Sequence, residues 1–101
     1  MKYPCYIPLI ADAADPRKFV APKNNGVFLI FTDMKLFDKY LVTHHPGHPQ
    51  VAFDIANAAQ LLDRLTKLQK GLFHSVQIDL GREPIAPEAV PMSQFLEILR
   101  G

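Results

Sequence analysis

Apolar residues change their spacing several times along this chain, and each change marks an element. Residues 3–11 are rich in aromatic and β-branched side chains, as strands are, but Pro4 and Pro8 interrupt them. Backbone groups in a strand face alternate edges, so two prolines four apart remove N–H donors from the same edge. Residues 5–11 are therefore expected as a border strand, its proline edge outward and its intact edge paired within the sheet. Residues 12–17 are turn-forming, and residues 18–22 form a second short strand. Asn25-Gly26 then supplies the positive φ values of a tight hairpin. Residues 27–31 (Val27-Phe28-Leu29-Ile30-Phe31) are apolar without alternation, the pattern of a strand covered on both faces. They are the expected sheet centre.

The period then lengthens. Met34, Phe37, Tyr40 and Leu41 recur at three- and four-residue spacing, which predicts an amphipathic helix over 33–42 capped by Asp33. Two prolines and a glycine in residues 44–49 end it. Residues 51–53 form a short extended stretch. Asp54 is read as the N-cap of a helix over 55–70, with Ile55, Ala58, Leu62, Leu65 and Gln69 on one face and Leu61 and Leu68 widening it. Lys67 and Lys70 favour the helix dipole in the last turn, and Gly71 suits the C′ position. Val76, Ile78 and Leu80 alternate with Gln77 and Asp79, predicting a strand with one wet face. Residues 81–88 are a proline-punctuated loop, and Pro91 opens a last helix that buries Met92, Phe95, Leu96 and Leu99. The order of strands and helices predicts an α+β fold, a small mixed, mainly antiparallel sheet of about four strands with about three helices packed on it.

Composition sharpens the class. With 101 residues, 49% hydrophobic, one domain over 1–101 is expected, with a core that needs neither disulfide nor metal. A net charge of +1, without charge blocks, lacks the electrostatic footprint of a nucleic-acid or membrane-surface protein. Cys5 is the sole cysteine, which excludes an intramolecular disulfide. The N-terminal residues lack a signal-peptide pattern, and the longest apolar run, 27–31, is too short to span a bilayer. The expected location is the cytoplasm.

Candidate chemistry is sparse. His44, His45 and His48 lie close in sequence around a Pro-Gly turn, and imidazole is the commonest transition-metal ligand. No Cys, Asp or Glu joins them in the loop, so a solvated polar loop is the competing account. Cys5 sits in an apolar strand and reads as an inert small side chain, not as a nucleophile. Ser75 beside His74 is no triad, because strand neighbours point to opposite faces. The five glycines are isolated, so no phosphate cradle exists. Asp12, Asp15, Glu83 and Glu88 read as solvated turn and loop acids. Lys18 and Lys23 near Tyr3, Tyr6 and Phe19 resemble a stacking surface for single-stranded nucleic acid, but without basic excess they read as core aromatics beside surface lysines. No enzyme activity and no cofactor are expected.

Several of these segments together point to a family. Tyr6-Ile7-Pro8-Leu9-Ile10, then Val27-Phe28-Leu29-Ile30-Phe31-Thr32-Asp33 leading to Phe37 and Tyr40, resembles the N-terminal domain of SseB-like (enhanced serine sensitivity) proteins. The similarity continues through the leucine-rich Leu61-Leu62-Asp63-Arg64-Leu65, Gly71 and the strand over 76–80, and so covers most of the chain. Members often carry Asn-Pro-Gly after this strand, where the present chain has Asp79-Leu80-Gly81. The resemblance implies a small bacterial α+β domain with no established catalytic site and no functional residues to carry over.

The functional expectation is a non-catalytic cytoplasmic bacterial domain that mediates protein–protein interaction, its partner another protein, with no role for nucleic acid or membrane. An apolar surface beyond the needs of the core would mark the partner site, and the aromatics between Phe28 and Tyr40 are its first candidates. The alternative is a metal- or small-ligand-binding protein that uses His44, His45 and His48. A homodimer is compatible with either, and the prolines direct it to helix or sheet-face packing instead of a shared sheet.

Overall fold

The computed structural model describes residues 3–12, 14–15, 17–22, 24–47, 51–68, 73–80 and 89–100. Its elements are β1 (Cys5–Ala11), β2 (Phe19–Val20), β3 (Val27–Ile30), α1 (Met34–His44), β4 (Val51–Ile55), α2 (Ala58–Leu68), β5 (Ser75–Ile78), β6 (Val90–Pro91) and α3 (Met92–Arg100). This is an α+β fold. β1 lies between β2 and β4 in one three-stranded sheet, and β5 between β3 and β6 in another. Only the β3–β5 pairing is parallel among those described.

The border-strand expectation for residues 5–11 is overturned, and the prolines explain how. β1 pairs with β4 from Cys5↔Ile55 to Leu9↔Val51 along its intact edge. Its proline edge is not outward. Tyr6 exchanges both backbone hydrogen bonds with Phe31, at 2.7 and 2.9 Å, and Ile10 pairs with Val20 of β2. In an antiparallel ladder the next bonded position after Tyr6–Phe31 would set residue 8 against residue 29. Pro8 has no N–H to donate there, so the β1–β3 ladder ends after one bridge. The prolines therefore divide two sheets inside the molecule instead of protecting an outer edge.

Alternation then sorts the core into two layers. Cys5, Ile7, Phe28, Ile30, Ile55 and Val76 face α2 and α3, where they meet Leu61, Leu65, Phe95 and Leu96. On the opposite face Leu29 and Phe31 pack with Phe37, Tyr40 and Leu41 of α1. β3 is thus covered on both sides, as its unbroken apolar run requires. The aromatics Phe28, Phe31, Phe37 and Tyr40 are all buried, so they form core and not the outward apolar surface expected of them.

Local chemistry sets the helix boundaries. Asp33 caps α1, its carboxylate accepting the Lys35 N–H at 2.9 Å. The helix runs through His44 and ends at His45, the residue that Pro46 excludes from helical geometry. Asp54 is not a cap. It is an exposed residue of β4, and Ile55 is a strand residue beneath α2. The cap of α2 is Asn57, which accepts the Gln60 N–H at 3.0 Å, while the Gln60 side chain accepts the Ala56 N–H at 2.9 Å. Pro91 ends β6 immediately before α3, which buries Met92, Phe95 and Leu96 as expected.

Two further expectations need correction. Asn25 and Gly26 do hold positive φ, at 55° and 86°, yet they join strands of different sheets and form no hairpin. A Cβ on Gly26 would lie 2.5 Å from Cδ2 of His74, so the ring packs directly against that backbone. The supposed wet face of β5 is covered too: Gln77 is half-buried and Asp79, just past the strand, is buried. The loop over 81–88, Gln69, Lys70 and Gly71 lie outside the described residues.

Candidate functional site

His44 and His45 end α1, and both rings lie against Tyr40, with centroids 4.9 and 5.5 Å away. Nε2 of His45 is 3.2 Å from the Tyr40 hydroxyl, and burial raises the Tyr40 phenol above its ordinary pKa. Both histidines therefore pack on one aromatic ring. His48 lies outside the described residues, and among the described residues no three His, Cys, Asp or Glu side chains gather as a metal site requires. A cleft of about 90 Å³ adjoins His44, bordered by Leu36, Lys39, Tyr40, Thr43 and Leu80.

A second polar cluster lies where the parallel strands β3 and β5 end. Asp79, just past β5, has φ of 55° and is 5% exposed. Its carboxylate accepts the Thr32 N–H at 2.7 Å and the Thr32 hydroxyl at 2.5 Å. Both charge-assisted bonds tie the β3–α1 junction to the end of β5. Cys5 lies near this carboxylate. Burial, reinforced by the negative charge of Asp79, pushes its thiol up to about 11. A thiol enclosed from solvent and protonated at neutral pH is no nucleophile. Its role here is packing.

The apolar site lies elsewhere, on the α2 face of the β2–β1–β4 sheet. Strand register sets Ile7 beside Phe53 and aligns the outer half of β1 with β2. Cover declines steadily along this surface. Cys5 and Ile7 are sealed by α2 and α3, Leu9 and Phe53 are half-buried, and Phe19 is 44% exposed. The uncovered end is a groove of about 190 Å³, formed by Ile7, Leu9, Phe19, Val20, Ala21, Phe53 and Arg64. Arg64, from α2, holds its guanidinium 3.7 Å from the centroid of the Phe53 ring. Among the described residues it is the one charged group of that lining. The volume suits a single large side chain and is well below the 300–1,000 Å³ typical of small-molecule pockets.

No protein-family model matches the chain, and no curated protein matches it. Among the described residues, no helix is long and apolar enough to cross a membrane.

The groove corrects the reading of Phe19 as a core aromatic. Its strand is two residues long and lies at a sheet margin, so too few neighbours surround it. That shortness, beside Pro16 and Pro22, was the available signal in the sequence. Arg64 and Phe53 had none. Eleven positions separate them, and only the packing of α2 on β4 brings them together.

Proposed function

We propose that this chain is a non-catalytic interaction domain of the SseB-like kind, cytoplasmic and bacterial in setting, that binds another protein at the β2–β1–β4 groove. The observation that carries the reading is the exposure of Phe19 and Val20 beside an otherwise apolar groove. Two adjacent large apolar residues of a two-residue strand contribute little to the core, and their exposure costs solvation that a partner recovers. Covering Phe19 alone is worth roughly 1–2 kcal/mol, about half the value of a fully buried aromatic side chain. The buried, high-pKa Cys5 supports the non-catalytic part of the reading.

The test is affinity capture from a native bacterial lysate on wild-type protein and on Phe19→Asp, with mass spectrometry of the retained proteins. Far-UV circular dichroism first establishes that the variant is folded, as an exposed position predicts. A partner retained by the wild type and lost by Phe19→Asp supports the proposal. Identical retained sets would refute it.

A further inference from the structure

Resting on the docking role of the groove, we propose that its occupant is an acidic peptide segment that inserts one large apolar side chain and sets a carboxylate against Arg64. Three observations lead to this partner.

The first is size. A groove of about 190 Å³ holds one aromatic or long aliphatic side chain, so the rest of any ligand must lie across the rim. Phe19 and Val20, 44% and 40% exposed, extend the apolar contact on the β2 side. A peptide supplies both a buried anchor and a chain to cross that rim. A compact small molecule supplies only the anchor.

The second is charge. Among the described residues Arg64 is the groove's one charged lining residue, and no carboxylate pairs with it. Its neighbour in α2, Asp63, pairs with Lys67 at 3.1 Å. Stacking on Phe53 covers one guanidinium face and leaves its in-plane N–H donors able to bond a ligand. A planar fork of donors beside an apolar cavity matches a carboxylate next to an apolar anchor, with bidentate geometry available.

The third concerns the alternative of a second copy. The described surface offers Ile98, 62% exposed on α3, next to the exposed Glu97. Inserting Ile98 of one molecule into the groove of another joins two different surfaces, so it closes as a dimer only where a two-fold axis lets both insertions form together, and otherwise propagates head to tail. A separate acidic segment completes the contact in one step.

The experiment selects random twelve-residue displayed peptides on wild type, Arg64→Glu, Arg64→Lys and Phe19→Ser, each checked for folding by circular dichroism. The expected wild-type selection combines a large apolar residue with Asp or Glu within a few positions. Arg64→Lys keeps that acidic preference, and Arg64→Glu replaces it with Lys or Arg. A synthetic wild-type-selected peptide then binds about tenfold more weakly to Arg64→Glu, and its wild-type affinity falls with added salt. Apolar peptides without acids, selected equally by wild type and Arg64→Glu, would overturn the acidic partner while leaving the docking groove intact. Selection unchanged by Phe19→Ser would overturn both. Sedimentation showing concentration-dependent self-association that Phe19→Ser abolishes would assign the groove to a second copy and overturn the peptide proposal.

Discussion

Replacing Asp79 with alanine tests whether the Thr32–Asp79 pair ties the β3–α1 junction to the end of β5. The carboxylate is buried and accepts both donors of Thr32, at 2.7 and 2.5 Å. Hydrogen bonds to a charged group each contribute about 1.5–3 kcal/mol, and an orphaned buried donor costs a similar amount. Alanine also takes on the positive φ of 55°, which costs about 1 kcal/mol that Asp and Asn tolerate better. The expected loss is about 3–5 kcal/mol out of a total of about 5–15 for such a domain. At about 4–8 °C per kcal/mol, the melting temperature falls by roughly 12–40 °C. Asp79→Asn keeps the shape and two hydrogen-bonding atoms but loses the charge, so it should lose about 1–2 kcal/mol. Asp79→Gly relieves the backbone conformation while orphaning the same donors, and so isolates the hydrogen-bond part of the loss. The chain lacks tryptophan, so urea unfolding is followed by far-UV circular dichroism. Thr32→Val combined with Asp79→Ala closes a double-mutant cycle, with a coupling of about 1–2 kcal/mol expected from the shared hydroxyl bond. A loss below about 1 kcal/mol for Asp79→Ala, or strict additivity in the cycle, would refute this account.

Three shorter predictions follow from other positions. The Cys5 thiol is raised to about 11 in the folded chain, so an unfolded chain releases its proton first as pH rises. Its stabilising contribution is complete below the ordinary thiol pKa and is lost towards pH 11, about 3 kcal/mol at most; Cys5→Ala should lack this part of the alkaline loss in urea titrations. Gly26→Ala combines a φ of 86° with a Cβ 2.5 Å from the His74 ring and should cost about 2–3 kcal/mol by the same assay. Pro8→Thr should leave the light-scattering mass unchanged across protein concentration, because Pro8 faces the junction with β3 and not a free edge; a rise in mass would place that edge outside.

Local patterns determined much of this architecture. The unbroken apolar run of β3, the three-and-four spacing in α1 and α3, and the stop at Pro46 act over a few residues, so they are legible without a partner. The missing donors of Pro4 and Pro8 were equally legible, but not what lay beside them. Only tertiary structure decided that Phe31 and β2 share that edge, since strand neighbours are chosen by long-range burial. It also decided that Asp79 lies buried against Thr32, 47 positions away, where alternation alone placed it in water. The groove follows the same logic. Phe19, Phe53 and Arg64 are unremarkable within their own segments and become a site where α2 stops short of covering β2. A sequence pattern states which side chains seek burial, and the way whole elements meet determines which of them are left uncovered.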